Sequence, residues 1–138
     1  MIQRVQSVWL ALAAIFEGLT FKLPFYSGDW KEDNIAAIVP LNASTKPIYE
    51  VLAAFITTVA IICIFLYNKR KRQQLVCTAG LGATAATLVL YGYETNDFSS
   101  GSIAVTAVAY IAVLICFLLA LRGIRADEKL IKSMDRLR

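Results

Sequence analysis

The chain has 138 residues, of which 58% are apolar and 17% are charged, and its formal net charge is +4. This length fits one domain, and so high an apolar fraction is typical of a protein embedded in a membrane. Because the chain has no histidine and no paired-cysteine motif, it lacks the usual ligands of zinc, haem and iron–sulfur clusters, and we expect no metal and no cofactor.

Four apolar stretches have the length that a helix needs to cross a bilayer, which is about 20 residues. They predict an all-α membrane protein with four transmembrane helices, folded as one domain over residues 1–138. The predicted boundaries are about 2–23, 47–68, 75–93 and 101–122 for the helices, and 123–138 for a charged tail.

The first predicted helix contains Glu17, the one carboxylate well inside an apolar stretch. An ionisable side chain at such depth is costly unless it is paired, and it often marks a functional site. Apart from Leu10, the other residues on its helical face (Gln3, Gln6, Ala13 and Ala14) are small or polar, so we expect Glu17 to point into the bundle. Tyr110, in the fourth predicted helix, needs a partner for its hydroxyl and completes a candidate intramembrane polar site. The alternative is a purely structural, hydrogen-bonded Glu17.

The first connection, about Pro24 to Thr45, is the longest segment outside the predicted helices. Pro24 suits the end of the first helix, and Pro47 suits the first turn of the second. Turn-forming and charged residues fill much of the connection, whereas Ile35–Leu41 is apolar and rich in β-branched side chains. This segment predicts a short strand or hairpin at the membrane surface.

The second connection is basic, with four consecutive cations. Anionic lipid headgroups attract such a juxtamembrane cluster, so its residues are predicted to contact anionic lipid. No aromatic side chains alternate with the cations, and we expect no nucleic-acid partner. The four residues are Lys69, Arg70, Lys71 and Arg72.

The third predicted helix is rich in small residues, which allow helix backbones to approach closely in lipid. Gly82 and Ala86 form one small-xxx-small step, and Ala79 and Ala83 form another. This composition favours a central position for the helix within the bundle. The alternative is that it provides the face on which a second subunit docks.

The tail predicts an amphipathic helix that continues from the fourth helix or bends away from it. Its apolar side chains fall on one stripe, and charges of both signs cover the rest. We expect the stripe to lie on the membrane surface or, alternatively, to dock a cytoplasmic partner. The residues of the stripe are Ile124, Leu130, Ile131, Met134 and Leu137.

Positive charge is concentrated on one side of the predicted bundle. All but three of the 14 lysines and arginines lie at the N-terminus, in the second connection or in the tail. The exceptions, Lys22, Lys31 and Lys46, lie at or in the first connection, which also carries acidic residues. Because lysine and arginine accumulate in cytoplasmic loops, both termini are predicted to be cytoplasmic (N-in, C-in).

Both ends of the chain carry motifs that resemble those of one family. The start, Met1–Ser7, reads MIQRVQS, and the end, Arg125–Arg138, reads RADEKLIKSMDRLR. They are similar to the opening and closing motifs of the small four-helix membrane proteins of Bacteroidetes called domain of unknown function 4293. The resemblance implies a multi-pass protein of the bacterial inner (cytoplasmic) membrane with a cytoplasmic tail. Since the family has no established activity, it implies no catalytic residues.

The sequence contains no enzymatic motif, since it lacks a phosphate-binding loop, a serine–histidine pair and an acidic metal cluster. We therefore expect a non-enzymatic protein whose partners are the lipid bilayer and other membrane-protein subunits or further copies of this chain. The leading hypothesis is an accessory or scaffold subunit of a membrane assembly. The alternative is a proton-coupled small-molecule transporter, in which a proton and a cation compete for the carboxyl of Glu17.

Overall fold

The computed structural model describes residues 2–30 and 38–135, and this part of the chain is mostly helical. One-turn 3-10 helices, Leu66–Asn68 and Thr95–Asp97, follow the second and third α-helices. The α-helices are α1 (Ile2–Leu19), α2 (Pro47–Phe65), α3 (Arg70–Glu94) and α4 (Ala107–Asp135). The strands are β1 (Tyr26–Trp30), β2 (Ile38–Leu41) and β3 (Phe98–Ile103).

The four helices form an up-and-down bundle, which confirms the predicted number of helices. Each helix packs mainly on two others, so that α1 and α3 contact both α2 and α4. Fully buried side chains from all four helices meet along the axis of the bundle and form its apolar core. They include Leu10 and Ala13 of α1, Ile56 of α2, Cys77 of α3 and Phe117 of α4.

Three helical segments of the described chain are long and apolar enough to cross a membrane: Pro47–Phe65, Arg70–Asp97 and Ala107–Ile131. The apolar part of α1, Val5–Leu19, is shorter. The outward faces of these helices carry many large apolar side chains, for which hydrocarbon is a better solvent than water. This arrangement fits a membrane protein.

The end of the first helix and the start of the third differ from the predicted boundaries because of local hydrogen bonding and propensity. The first helix ends at Leu19 rather than near residue 23. There the Thr20 hydroxyl donates to the Glu17 carbonyl at 2.6 Å, and the chain turns before Pro24. The third helix begins at Arg70 rather than near residue 75, because the basic and glutamine side chains of its first turns are good helix formers.

The fourth helix begins at Ala107 rather than near residue 101, because the segment before it forms β3. At its other end it continues without a break through the tail to Asp135. A Cβ atom added at Gly123 would lie 2.8 Å from the Cγ atom of Gln6, so α1 and α4 approach closely at this glycine. Of the two predicted arrangements of the tail, the continuous helix is the one observed.

A three-stranded antiparallel sheet covers one end of the bundle, where the sequence predicted only a short strand or hairpin beside the four helices. The strand order is β2-β1-β3. The predicted strand segment Ile35–Leu41 contains β2, although its first residues lie outside the described ones, and β1 and β3 were not predicted. Gly28 of β1 pairs with Gly101 of β3. A Cβ atom at Gly101 would lie 2.7 Å from the carbonyl oxygen of Ser27, so this pairing requires glycine.

The sheet distinguishes the two ends of the bundle, which we call the sheet end and the tail end. At the sheet end the turn after α1 meets the loop before α2, where the Ala43 amide donates to the Thr20 carbonyl at 3.1 Å. The tail end contains the start of α1, the turn between α2 and α3, and the extension of α4. The described basic residues of the second connection and of the tail therefore lie at the same end.

The small residues of α3 face two different surroundings. Gly80 faces the core, where an added Cβ atom would lie 2.7 Å from both the Phe117 ring and a Val59 methyl group. Gly82 and Ala86, the predicted packing step, are exposed instead, and a Cβ atom added at Gly82 meets nothing within 4 Å. Within the chain, α3 therefore approaches α2 and α4 closely at Gly80. A second subunit on the exposed face stays a prediction.

Candidate functional site

Four rings from four parts of the chain pack together beneath the sheet, and we call Phe25, Tyr49, Tyr91 and Tyr110 the aromatic cluster. Tyr91 lies between Tyr49 and Phe25 in a parallel stack, with ring centroids 4.5 Å and 5.1 Å away. Tyr110 meets Tyr91 and Phe25 edge-on, at 5.1 Å and 5.5 Å. Such pairs contribute about 0.5–1.5 kcal/mol each beyond the burial of their area, so the cluster holds α2, α3, α4 and the loop after α1 together.

Glu17 lies beside this cluster, with 3% of its surface exposed. Its charge is near enough to Tyr91 and Tyr110 to interact with both hydroxyls electrostatically. Among the described residues, no side chain forms a hydrogen bond with its carboxyl group. The inward orientation predicted for Glu17 is the one observed, but its hydrogen-bonding capacity is unused by the described part of the chain.

Tyr110 does not hydrogen-bond to Glu17, although the sequence places both residues in one candidate polar site. Its hydroxyl lies 3.2 Å from the carbonyl oxygen of Thr20 and 2.9 Å from that of Leu23. These carbonyls belong to the turn after α1, where the helix leaves backbone acceptors without partners. Tyr110 therefore ties the end of α1 to α4, and Glu17 lies next to this contact without taking part in it.

An ion pair joins α2 and α3 at the rim of the sheet end. The ammonium group of Lys46 lies 2.6 and 2.7 Å from the two carboxylate oxygens of Glu94. The Tyr49 hydroxyl interacts with the same carboxylate, which connects the ion pair to the aromatic cluster. The Lys46 side chain is 39% exposed, so the pair contributes little net stability and serves mainly to position the two helix ends.

A polar network joins three helices at the tail end. The side-chain amide of Gln6 donates to the Asp127 carboxylate at 2.6 Å, and the Arg70 guanidinium donates to the Asp127 carbonyl at 3.1 Å. The amide of Gln74 donates to the Glu128 carboxylate at 2.5 Å. Gln6 and Asp127 belong to the two end motifs, so these motifs contact each other in the fold. The two end motifs could be recognised in the sequence, but nothing in the sequence indicated that they contact each other.

The apolar residues of the tail divide into buried and exposed positions. Ile124 is 1% exposed and belongs to the bundle core, so its predicted contact with a partner or the membrane surface was wrong. Leu130 and Ile131 are 50% and 37% exposed, respectively. Met134 lies in the helix but its side chain is outside the described ones, and Leu137 lies outside the described residues altogether. Only Leu130 and Ile131 of the predicted stripe are therefore placed by the structure on its surface.

The four predicted lipid-contacting cations do not share one environment. Lys69, Lys71 and Arg72 are exposed at the tail end. Arg70 is half-buried, and its guanidinium binds the Asp127 carbonyl. Its main contact is therefore within the bundle, and the exposed cations remain the candidates for contact with lipid.

The described residues contain no group of three or more metal-binding side chains. Their three cysteines, Cys63, Cys77 and Cys116, are free and buried in the bundle. Cys77 lies in the core beside Phe117, and its thiol points to the Phe117 carbonyl at 3.8 Å. The cysteines therefore act as small packing side chains.

A family model described as Domain of unknown function (DUF4293) matches residues 2–137. The match covers nearly the whole chain, including Gln6 and the tail up to Leu137, so the contact between the two end motifs lies within it. No curated protein matches the chain, and no solved structure matches it.

Proposed function

We propose, from the premise that this chain belongs to the family of domain of unknown function 4293, that it is an accessory or scaffold subunit of an inner-membrane assembly. In this role it performs no catalysis and docks another membrane-protein subunit on its tail helix. The proposal is supported by the way in which α4 extends beyond the bundle.

The face of α4 that packs in the core continues past the point where the bundle ends. Ile131 lies about two helical turns beyond Ile124 and therefore on the same face of the helix. Ile124 is 1% exposed and Ile131 is 37% exposed, so the surroundings of this face change from core to surface within two turns. Leu130, beside it, is 50% exposed. This is the observation that carries the proposal, because a partner helix on this face would extend the bundle packing.

The tail is held firmly where it leaves the bundle. The contacts of Asp127 with Gln6 and Arg70, and of Glu128 with Gln74, fix two consecutive residues of α4 to two other helices. A helix anchored in this way loses little conformational freedom on binding, which favours association. The exposed pair Leu130 and Ile131 is thus presented at a defined position and orientation.

The docking surface is tested by introducing negative charge into it. Replacing Leu130 and Ile131 by aspartate in the full-length protein is expected to reduce the amount of copurified partner subunit roughly tenfold or more, because buried apolar anchors dominate such interfaces. Arg122 and Lys129 are exposed on the side of the same helix away from Ile131, and replacing both by glutamine lowers the net charge by the same two units. This control variant is expected to retain the partner.

Purification in mild detergent followed by quantitative mass spectrometry measures the partner, and thermal melting in the same detergent confirms that the bundle stays folded. Equal recovery of every copurified subunit with wild type and the Leu130→Asp, Ile131→Asp variant would rule out docking on the tail.

We also propose that both termini face the cytoplasm. The basic segments lie at the tail end, and loops rich in lysine and arginine stay on the cytoplasmic side of the membrane. A cysteine at Asp97 of the sheet end should react with a membrane-impermeant thiol reagent in sealed spheroplasts, whereas one at Ser133 should react only after lysis. Both positions are exposed, and the three native cysteines are buried and serve as an internal background. Labelling of the Ser133 position before lysis would reverse the proposed orientation.

A second candidate function, proton-coupled transport of a small molecule, is favoured by Glu17. Its carboxyl is buried next to two tyrosines, and no described side chain hydrogen-bonds to it. A carboxyl of this kind can exchange a proton for a cation. Proton-linked uptake into proteoliposomes that the Glu17→Gln variant abolishes would support transport, and uptake unchanged by this variant would remove the candidate.

A further inference from the structure

A groove between α3 and the extension of α4 opens at the tail end of the bundle. Its volume is about 510 Å³, and it is shallow and largely open to the surroundings. The groove runs from charged residues at the start of α3 to apolar ones a few turns further on. Its lining residues are Lys71, Gln74, Leu75, Thr78, Ala79 and Arg125.

Two exposed cations, Lys71 and Arg125, come from different helices and line this groove together. Neither side chain forms an ion pair or a hydrogen bond with any residue that the structure describes. The neighbouring polar groups are already engaged, since Gln74 donates to Glu128 and the Thr78 hydroxyl donates to the Gln74 carbonyl. The groove therefore carries two cations that form no close ion pair with a described residue, although the Glu128 carboxylate lies beside Gln74.

The apolar part of the groove begins next to these cations. Leu75 is 73% exposed, and Ala79 leaves space beside it because its side chain is small. Two cations beside an exposed apolar surface match a phospholipid, in which an anionic headgroup is attached to acyl chains. A soluble anion would use the cations but leave the apolar residues uncovered.

We propose that this groove binds one anionic phospholipid, with its phosphate between Lys71 and Arg125 and an acyl chain along Leu75 and Ala79. The lipid joins the start of α3 to the extension of α4 at the point where the tail leaves the bundle. The proposal rests on the chain's location in a membrane, but not on any protein partner.

The proposal is tested on purified full-length protein with phosphatidylglycerol and phosphatidylcholine as probes. Native mass spectrometry counts the lipids that remain bound as each lipid is titrated. Wild-type protein is expected to retain one phosphatidylglycerol in preference to phosphatidylcholine. Replacing Lys71 and Arg125 by glutamine is expected to weaken retention roughly tenfold or more, because each cation near a headgroup contributes to the attraction.

The matched control replaces Arg72 and Lys129 by glutamine. Both are exposed basic residues of the same two helices that do not line the groove, so the net charge changes by the same amount. This control variant is expected to retain the lipid. Equal weakening by both double substitutions would show general surface attraction only and would overturn the proposal.

Inorganic phosphate distinguishes a lipid site from a simple anion site. Because phosphate has no acyl chain, an excess of inorganic phosphate is expected to leave phosphatidylglycerol bound. Displacement of the lipid by phosphate would contradict the role of the apolar part of the groove. No protein partner is present in this experiment. A failure of lipid binding is therefore separate from a failure of docking on Leu130 and Ile131.

Discussion

Replacing Tyr91 by alanine is expected to lower the free energy of unfolding by about 3–5 kcal/mol, the range seen for large aromatic residues truncated in a core. Tyr91 is 1% exposed and occupies the centre of the aromatic cluster, with rings stacked on both of its faces and a third ring at its edge. Its removal leaves a cavity bordered by Phe25, Tyr49 and Tyr110. Unfolding by sodium dodecyl sulfate in mixed micelles, followed by circular dichroism, measures the loss.

Tyr93 provides a matched control on the same helix, because its side chain is 69% exposed. Its replacement by alanine is expected to change the free energy of unfolding by less than about 0.5 kcal/mol. The Tyr91→Phe variant keeps the ring and removes only the hydroxyl, so it should retain most of the stability. Similar losses for Tyr91→Ala and Tyr93→Ala would show that the cluster does not hold the sheet end together.

Replacing Gly80 by valine is expected to cost about 1–3 kcal/mol, because it inserts a branched side chain into a filled core. An added Cβ atom already lies 2.7 Å from the Phe117 ring and from a Val59 methyl group. Both neighbours are buried, and neither is the end of a flexible chain that could move aside. The same unfolding measurement detects the loss of stability. The loss arises because the valine side chain pushes α3 away from α2 and α4.

Gly82 is the control for this substitution, since a Cβ atom added there meets nothing within 4 Å. The two glycines are in the same helix, so the change in helix propensity is the same for both, and only their surroundings differ. Gly82→Val is expected to change the free energy of unfolding by less than about 0.5 kcal/mol. A greater loss for Gly82→Val than for Gly80→Val would show that the exposed face is the tightly packed one, as in a dimer.

Four helices could be predicted from the sequence because long apolar stretches leave few other structures for the backbone in lipid. The inward orientation of Glu17 also followed from its own helix, where most residues on the same face are small or polar. The identity of its neighbours did not follow. The Tyr110 hydroxyl lies within hydrogen-bonding distance of two carbonyls of the turn after α1. A sequence does not indicate which backbone carbonyls lack partners.

The sheet could not be predicted in full, because β1 and β3 are rich in glycine, serine and aspartate and lack an alternating apolar pattern. They form strands because they pair with each other across Gly28 and Gly101, two residues that are distant in the chain. Pairing of this kind depends on the helices that bring the two segments to the same end of the bundle.

The amino-acid sequence by itself determined the number of helices, the grouping of basic residues and the amphipathic character of the tail, since these depend on composition and periodicity within one segment. Only the tertiary structure decided which apolar tail residues are available to a partner. Ile124 is covered by the bundle, whereas Ile131, two turns further along the same face, extends beyond the covered part and is exposed. The difference arises from where the neighbouring helices end, and periodicity within one helix carries no information about that.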